Sequence, residues 1–177
     1  MMNLSDAILV AASAVAALCP YCDRIEVAGS VRRKKRNPKD IEIVCIPKET
    51  PVSRDLFAEP IMQRDSDFCK VVNSWEKVKG EPTGRYTQRV IPDEDGEEFC
   101  KLDLFMCVKR NFGLMFAIRT GPAAFSHHSI AEGAHEVGMR IQGGMLTRDG
   151  VDVPVPDEET LFRLLKIAYL KPEERPG

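Results

Sequence analysis

The stretch Ile25-Glu26-Val27-Ala28-Gly29-Ser30-Val31-Arg32-Arg33, followed after a basic loop by Lys39-Asp40-Ile41-Glu42-Ile43-Val44-Cys45-Ile46, decides how this chain is read. Residues 25–28 predict a short strand and Ile41 to Ile46 a buried one, with Gly29-Ser30 breaking the first. Alternate side chains on a strand share a face, so Asp40 and Glu42 project together while Ile41 and Ile43 point to the core. Two carboxylates that close repel each other unless a cation lies between them. Magnesium suits them, because it takes hard oxygen ligands and keeps positions open for substrate phosphates. Taken alone, Asp-x-Glu reads more simply as the wet face of a strand. Beside it, Gly29 lets the backbone approach a phosphate closely, Ser30 and exposed amides can bond phosphate oxygens, and Arg33 can neutralise a leaving pyrophosphate. The plain alternative there is an ordinary polar turn.

Working outward, Arg85 to Ile91 and Phe99 to Val108 predict two strands joined by Pro92-Asp93-Glu94-Asp95-Gly96, whose Asp-Gly is a hairpin signal. The return strand carries Asp103 inside Leu102-Asp103-Leu104-Phe105-Met106, where an acid flanked by bulky apolar residues needs a partner. If that strand lies beside Asp40-x-Glu42, the three carboxylates complete a site for two metal ions about 3.5–4 Å apart, suited to in-line attack at phosphorus.

The remaining pattern is α+β. A helix starting at Ser5-Asp6 runs to Leu18 and is stopped by Pro20; another covers about Asp67 to Trp75; residues 48–80 otherwise carry little signal, with Pro51 and Pro60 bracketing Leu56-Phe57. After Gly121-Pro122 the expected order is a helix from Ala123 to Val137, short strands between Met139 and Val153, and a last helix from Asp157 to about Tyr169. The change of pattern predicts two lobes, residues 1–111 and 112–177.

With 177 residues, 44% of them hydrophobic, the chain can hold one core or two small lobes sharing a cleft. A net charge of −2 from 25 basic and 27 acidic residues gives no global field for nucleic acid, so any such affinity must be local. The run Arg32 to Arg36 is one candidate patch. The apolar stretch Ala7 to Leu18 falls short of the roughly 20 residues that span a bilayer, and no basic residue precedes it, which argues against a secretory signal. Six cysteines without such a signal suggest reduced thiols, and the expected location is cytoplasmic or viral, with the nucleus left open.

Gly-Ser-x-Arg-Arg at 29–33, Asp-x-Glu at 40–42 after an eleven-residue step, and Leu-Asp-Leu-Phe at 102–105 together resemble the nucleotidyltransferase palm of the DNA polymerase beta, or polymerase X, family. Arg119-Thr120-Gly121-Pro122 resembles that family's aromatic-Thr-Gly segment, and Tyr169-Leu170-Lys171-Pro172-Glu173-Glu174-Arg175 its closing Tyr-x-x-Pro-x-x-Arg. The resemblance runs from about residue 20 to the C-terminus, and the chain looks similar to the minimal viral polymerase X, a palm plus one nucleotide-binding lobe. It implies a palm with a mixed sheet and flanking helices plus a small α+β nucleotide-binding, thumb- or fingers-like lobe. Asp40, Glu42 and Asp103 would be catalytic and hold two Mg2+ ions, with Mn2+ as their substitute. Gly29, Ser30, Arg33, Lys39, Arg119, Thr120 and Gly121 would bind the nucleotide, and Lys101, Arg85 and His127 the DNA. The implied partners are gapped or primer-template DNA and deoxynucleoside triphosphates, with ribonucleotides open, for a monomer with no membrane.

Three departures bear on that activity. Glu42 stands where the polymerases usually carry Asp, Ile118-Arg119 replaces the aromatic pair that packs against the sugar, and Ser126 and Ile130 stand where an Asn and an Arg often read the minor-groove edge. No lyase or helix-hairpin-helix segment is expected, and hence no deoxyribose-phosphate lyase activity. The alternatives are a template-independent or non-DNA nucleotidyltransferase, and a weakly catalytic DNA-end-binding module. Cys19-Pro20-Tyr21-Cys22 follows a helix and leads to a strand, the reverse of a redox dithiol, and a zinc site drawing on Cys69, Cys100 or Cys107 lacks paired spacing. His127 and His128 are adjacent on an expected helix, so they should point apart and make poor joint ligands.

Overall fold

The computed structural model describes residues 2–52, 61–92 and 98–177. Helix α1 (Leu4–Leu18) begins at Asn3, whose side-chain oxygen accepts the Asp6 amide at 3.0 Å, so the cap lies two residues ahead of the expected Ser5. Ala7, Ala11, Ala14 and Leu18 form its buried stripe. With the turn Cys19–Tyr21 the segment reaches 18 residues at a mean hydropathy of 1.6, so it is longer than the Ala7 to Leu18 count suggested and passes a length and composition test for a span. Here its stripe packs into the same core as Ile41, Ile43, Leu102 and Leu104.

The chain continues through β1 (Cys22–Val27), α2 (Gly29–Arg32), β2 (Asp40–Pro47), the hairpin β3 (Glu49–Val52) and β4 (Ile61–Arg64), α3 (Ser66–Ser74), β5 (Glu76–Gly80), β6 (Tyr86–Pro92) and β7 (Glu98–Met106). Gly29-Ser30 is therefore the first turn of a one-turn helix rather than a polar turn. The β3/β4 hairpin and the edge strand β5 occupy the segment whose sequence carried little signal, because short exposed strands have no apolar alternation to betray them. The expected turn at Asp95-Gly96 and the pair Leu56-Phe57 lie outside the described residues.

Five strands form one sheet in the order β1-β2-β7-β6-β5. All neighbours are antiparallel except β2 and β7, which run parallel with Glu42 opposite Asp103 and Asp40 opposite Lys101. The sheet is thus mixed, and the two acid-bearing strands are its centre. Ile41, Ile43, Leu102 and Leu104 are fully buried beneath them. Each such side chain contributes about 1.5–3 kcal/mol by leaving water, and a one-residue slip of either strand would carry its acids into that core.

Residues 112–177, called the second lobe below for their place in the chain, start with α4 (Phe112–Thr120), a helix that no sequence pattern marks. Its two faces serve different cores: Phe112 and Phe116 pack with Ala28, Val44 and Phe105 of the sheet, while Leu114 and Ala117 join Phe125, Leu161 and Phe162. An all-round apolar helix has no amphipathic period to reveal it. The expected helix 123–137 is a π-helix, Phe125–Glu132, running into α5 (Gly133–Glu136). A three-stranded sheet follows, β8 (Arg140–Gln142), β9 (Met145–Arg148) and β10 (Val151–Val153). The last helix, α6 (Glu158–Leu165), is capped by Asp157, which accepts the Thr160 amide at 2.7 Å, and stops at Lys166 in the left-handed region, short of the expected Tyr169.

Candidate active site

The acids stand on one face because β2 and β7 are parallel and in register. Glu42 and Asp103 are cross-strand partners, and Asp40 lies two residues before Glu42 on the same face. Burial, with the Asp40 and Asp103 charges adding, pushes the Glu42 carboxyl up to about 7 against the opposing pull of Arg33 and Arg119. Asp40 is raised as well, first by burial and then by Asp103. Three oxygen donors gathered with so little cationic compensation are a donor set that fits magnesium. They do not close on a single point: among the described residues the trio of candidate ligand atoms lying within 4.8 Å of one another is His127, His128 and Glu132.

Gly29 sits directly against Glu42. A Cβ there would come within 2.0 Å of Glu42 Oε2, and the φ of +62° is itself in the left-handed region, so only glycine fits. The Ser30 hydroxyl, Arg33 Nε and Arg119 Nε are buried without a hydrogen-bond partner among the described residues. All three are donors that an anionic ligand beside the acids could satisfy. Arg119 stacks over Phe105 at 4.0 Å, and Phe105 shares the Asp103 face of β7, so Arg119 reaches the acids although it lies in the second lobe.

Thr120 is fully buried and already engaged. Arg32 donates to its hydroxyl at 2.8 Å and Arg33 to its carbonyl. Arg32 also forms a bidentate pair with Glu158 at 2.7 and 2.9 Å, and Arg175 donates to the same carboxylate at 2.9 Å. Thr120 therefore joins the lobes in this structure, a role its expected place at the nucleotide did not suggest. Gly121 is needed next to it because a Cβ would meet the Phe125 ring at 2.4 Å.

Residues 116–176 match the family model of the DNA polymerase beta thumb. This supports placing the chain in a polymerase X-like family. The matched segment contains Arg119, Thr120, Gly121, Glu158 and Arg175, and the acid-bearing sheet lies outside it. No curated protein matches the chain.

Other expected site residues lie further out. Lys39 is exposed beside Asp40, and Lys101 is exposed opposite it on β7. Arg85 donates to the Gly143 carbonyl at 2.7 Å across the lobes and lines a cavity of about 670 Å3 with Arg64, Lys109 and Arg110. That cavity opens at the C-terminal ends of β2 and β7, away from the acids, so its size does not make it the reaction site. His127 is exposed on the π-helix and, against expectation, shares Glu132 with His128. All six cysteines are free. Cys22 is buried against Cys45 rather than poised with the exposed Cys19.

Two residues of the site escaped the sequence reading. Tyr86 Oη and Gln88 Nε2 both donate to Asp103 Oδ1, the latter at 2.8 Å. Burial first, then the bond to Asp103, raises the Tyr86 phenol well above its usual value, so it stays a donor. Together they fix which oxygen of Asp103 remains open. The alternation of Tyr86 and Gln88 on β6 put them on one face, and only the β6–β7 register, Gln88 opposite Asp103, shows that the face is this one.

Proposed function

We propose that this chain is a metal-dependent nucleotidyltransferase, a small DNA polymerase of family X that adds a nucleotide to a primer 3′-hydroxyl in short gaps and releases pyrophosphate. The observation that carries the reading is the in-register pairing of Glu42 with Asp103, which gathers three acids on one face beside buried donors that have no hydrogen-bond partner among the described residues. Asp40, Glu42 and Asp103 would hold two Mg2+ ions, or Mn2+ in their place. Such ions, when bound, lower the pKa of the attacking hydroxyl and neutralise charge on the phosphoryl oxygens.

The protein's own groups supply the rest. Asp103, held through Oδ1 by Tyr86 and Gln88, presents its other oxygen in one orientation. Ser30 in α2 and Arg33 at its C-terminal cap would hold the triphosphate of the incoming deoxynucleotide, and Gly29, where a Cβ would run into Glu42, leaves that acid its position. Arg119 adds a cation from the second lobe, beside Thr120-Gly121. DNA as the acceptor is supported by the match of residues 116–176 to a polymerase thumb, with Lys101, Arg85 and His127 as candidate contacts.

Single-nucleotide incorporation on gapped, recessed and single-stranded DNA, with deoxy- and ribonucleotides, tests the reading. Incorporation on gapped DNA that requires a divalent cation is expected, and its survival in Asp103→Ala would sink the mechanism. A second reading, transfer without a template or to another acceptor, is favoured by Ser126 and Ile130. The Ser126 hydroxyl is committed to the Ile118 carbonyl at 2.9 Å and Ile130 is fully buried, so neither presents a group to a minor groove. Extension of single strands at a rate matching gapped DNA would favour it.

A further inference from the structure

We propose that His127, His128 and Glu132 form a second, separate metal site on the thumb-like lobe, one selective for a zinc-class divalent cation. The site is a product of the π-helix Phe125–Glu132. In an α-helix, adjacent residues point in different directions and only i+3 and i+4 neighbours meet. The wider π turn bonds i to i+5, so Glu132 stands five residues from His127 and four from His128 and faces both. Its Oε1 lies 3.3 Å from His127 Nδ1, its Oε2 lies 3.0 Å from His128 Nδ1, and the imidazole centroids are 4.9 Å apart.

Those separations carry the assignment. With zinc bonds of about 2.0–2.2 Å, adjacent donor atoms of a tetrahedral site are roughly 3.3–3.5 Å apart. Each imidazole already lies near that distance from one of the two Glu132 oxygens, His127 from Oε1 and His128 from Oε2. One donor atom from each of the three residues lies within 4.8 Å of the other two, and side-chain rotation of these exposed groups can close the remaining gap. Two imidazole nitrogens with one carboxylate are also the right chemistry: they favour zinc, cobalt or nickel, whereas magnesium prefers an all-oxygen set such as the acid face. A fourth position stays open to solvent for water or an anionic oxygen.

This site does not depend on the nucleotidyl-transfer reading, and its test is separate. Zinc bound to the full chain is measured by equilibrium dialysis for the wild type, His127→Asn, His128→Asn and Glu132→Gln, with Asp103→Asn and Cys19→Ser as controls for the acids and the thiols. The loss of one zinc equivalent is expected in each of the three variants, and its retention in both controls. Because a variant could act indirectly, the imidazole nitrogen resonances of the wild type are followed as well, and those of His127 and His128 should shift with the first equivalent. Unmoved imidazole signals, or unchanged zinc content in two or more of the three variants, would overturn the site and leave a His-Glu ion pair only.

Discussion

Glu42 and Glu158 are both drawn away from water, and the protein treats them in opposite ways. Glu158 receives three guanidinium hydrogen bonds from Arg32 and Arg175, which hold its carboxyl below the usual range against the burial that would raise it. Glu42 has two acids for neighbours and is pushed up to about 7. A compensated carboxylate joins two lobes. One crowded by like charges is, on the proposed reading, the place for a divalent cation, without which the folded chain bears the electrostatic cost.

Ways to break this contrast rank by expected effect. Asp103→Ala removes the acid that Tyr86 and Gln88 orient, and incorporation on gapped DNA should fall by about a thousandfold or more, roughly 4 kcal/mol. Glu158→Ala leaves the Arg32 and Arg175 charges unpaired at the joint and should destabilise the fold by about 3–5 kcal/mol in denaturant melts. Because the Glu158 value is lowered on folding, its contribution is present above about pH 4.5 and is lost as pH falls through the folded value.

Glu42→Gln should do the reverse. The folded carboxyl titrates near 7 and the unfolded one near 4.5, so the metal-free protein loses stability as pH rises through that window. The variant should therefore gain up to about 3 kcal/mol at pH 8, gain nothing at pH 4, and lose transfer activity. Thermal melts at the two pH values check it. Tyr86→Phe, the smallest change, removes one of two donors to Asp103 and should cost about 1 kcal/mol, a roughly fivefold drop in kcat with KM for nucleotide little changed.

The acid face was legible because strand alternation fixes which side chains share a side, and Ile41 and Ile43 could only point inward. The partnership of β2 and β7 is not legible in the sequence, since periodicity alone does not say which strands are neighbours. Nothing local marked α4, which is apolar on both faces because it serves two cores, or the π turn, since its spacing differs from an α-helix by a residue that hydrophobic period does not resolve. The tail Tyr169 to Arg175 was noticed as a motif, but that Arg175 closes on Glu158 depends on contacts across seventeen residues. Tyr86 and Gln88 look like any half-exposed strand residues until the register is known.

The central claim is that the acids await a divalent cation that a nucleotide brings or shares. Calorimetric titration of a nonhydrolysable deoxynucleoside triphosphate into the wild type and Asp103→Asn, each with and without Mg2+, tests it most directly. The account predicts binding by the wild type that strengthens sharply with Mg2+ and a loss of that enhancement in Asp103→Asn. Nucleotide binding indifferent to Mg2+, or an enhancement intact in Asp103→Asn, would contradict it.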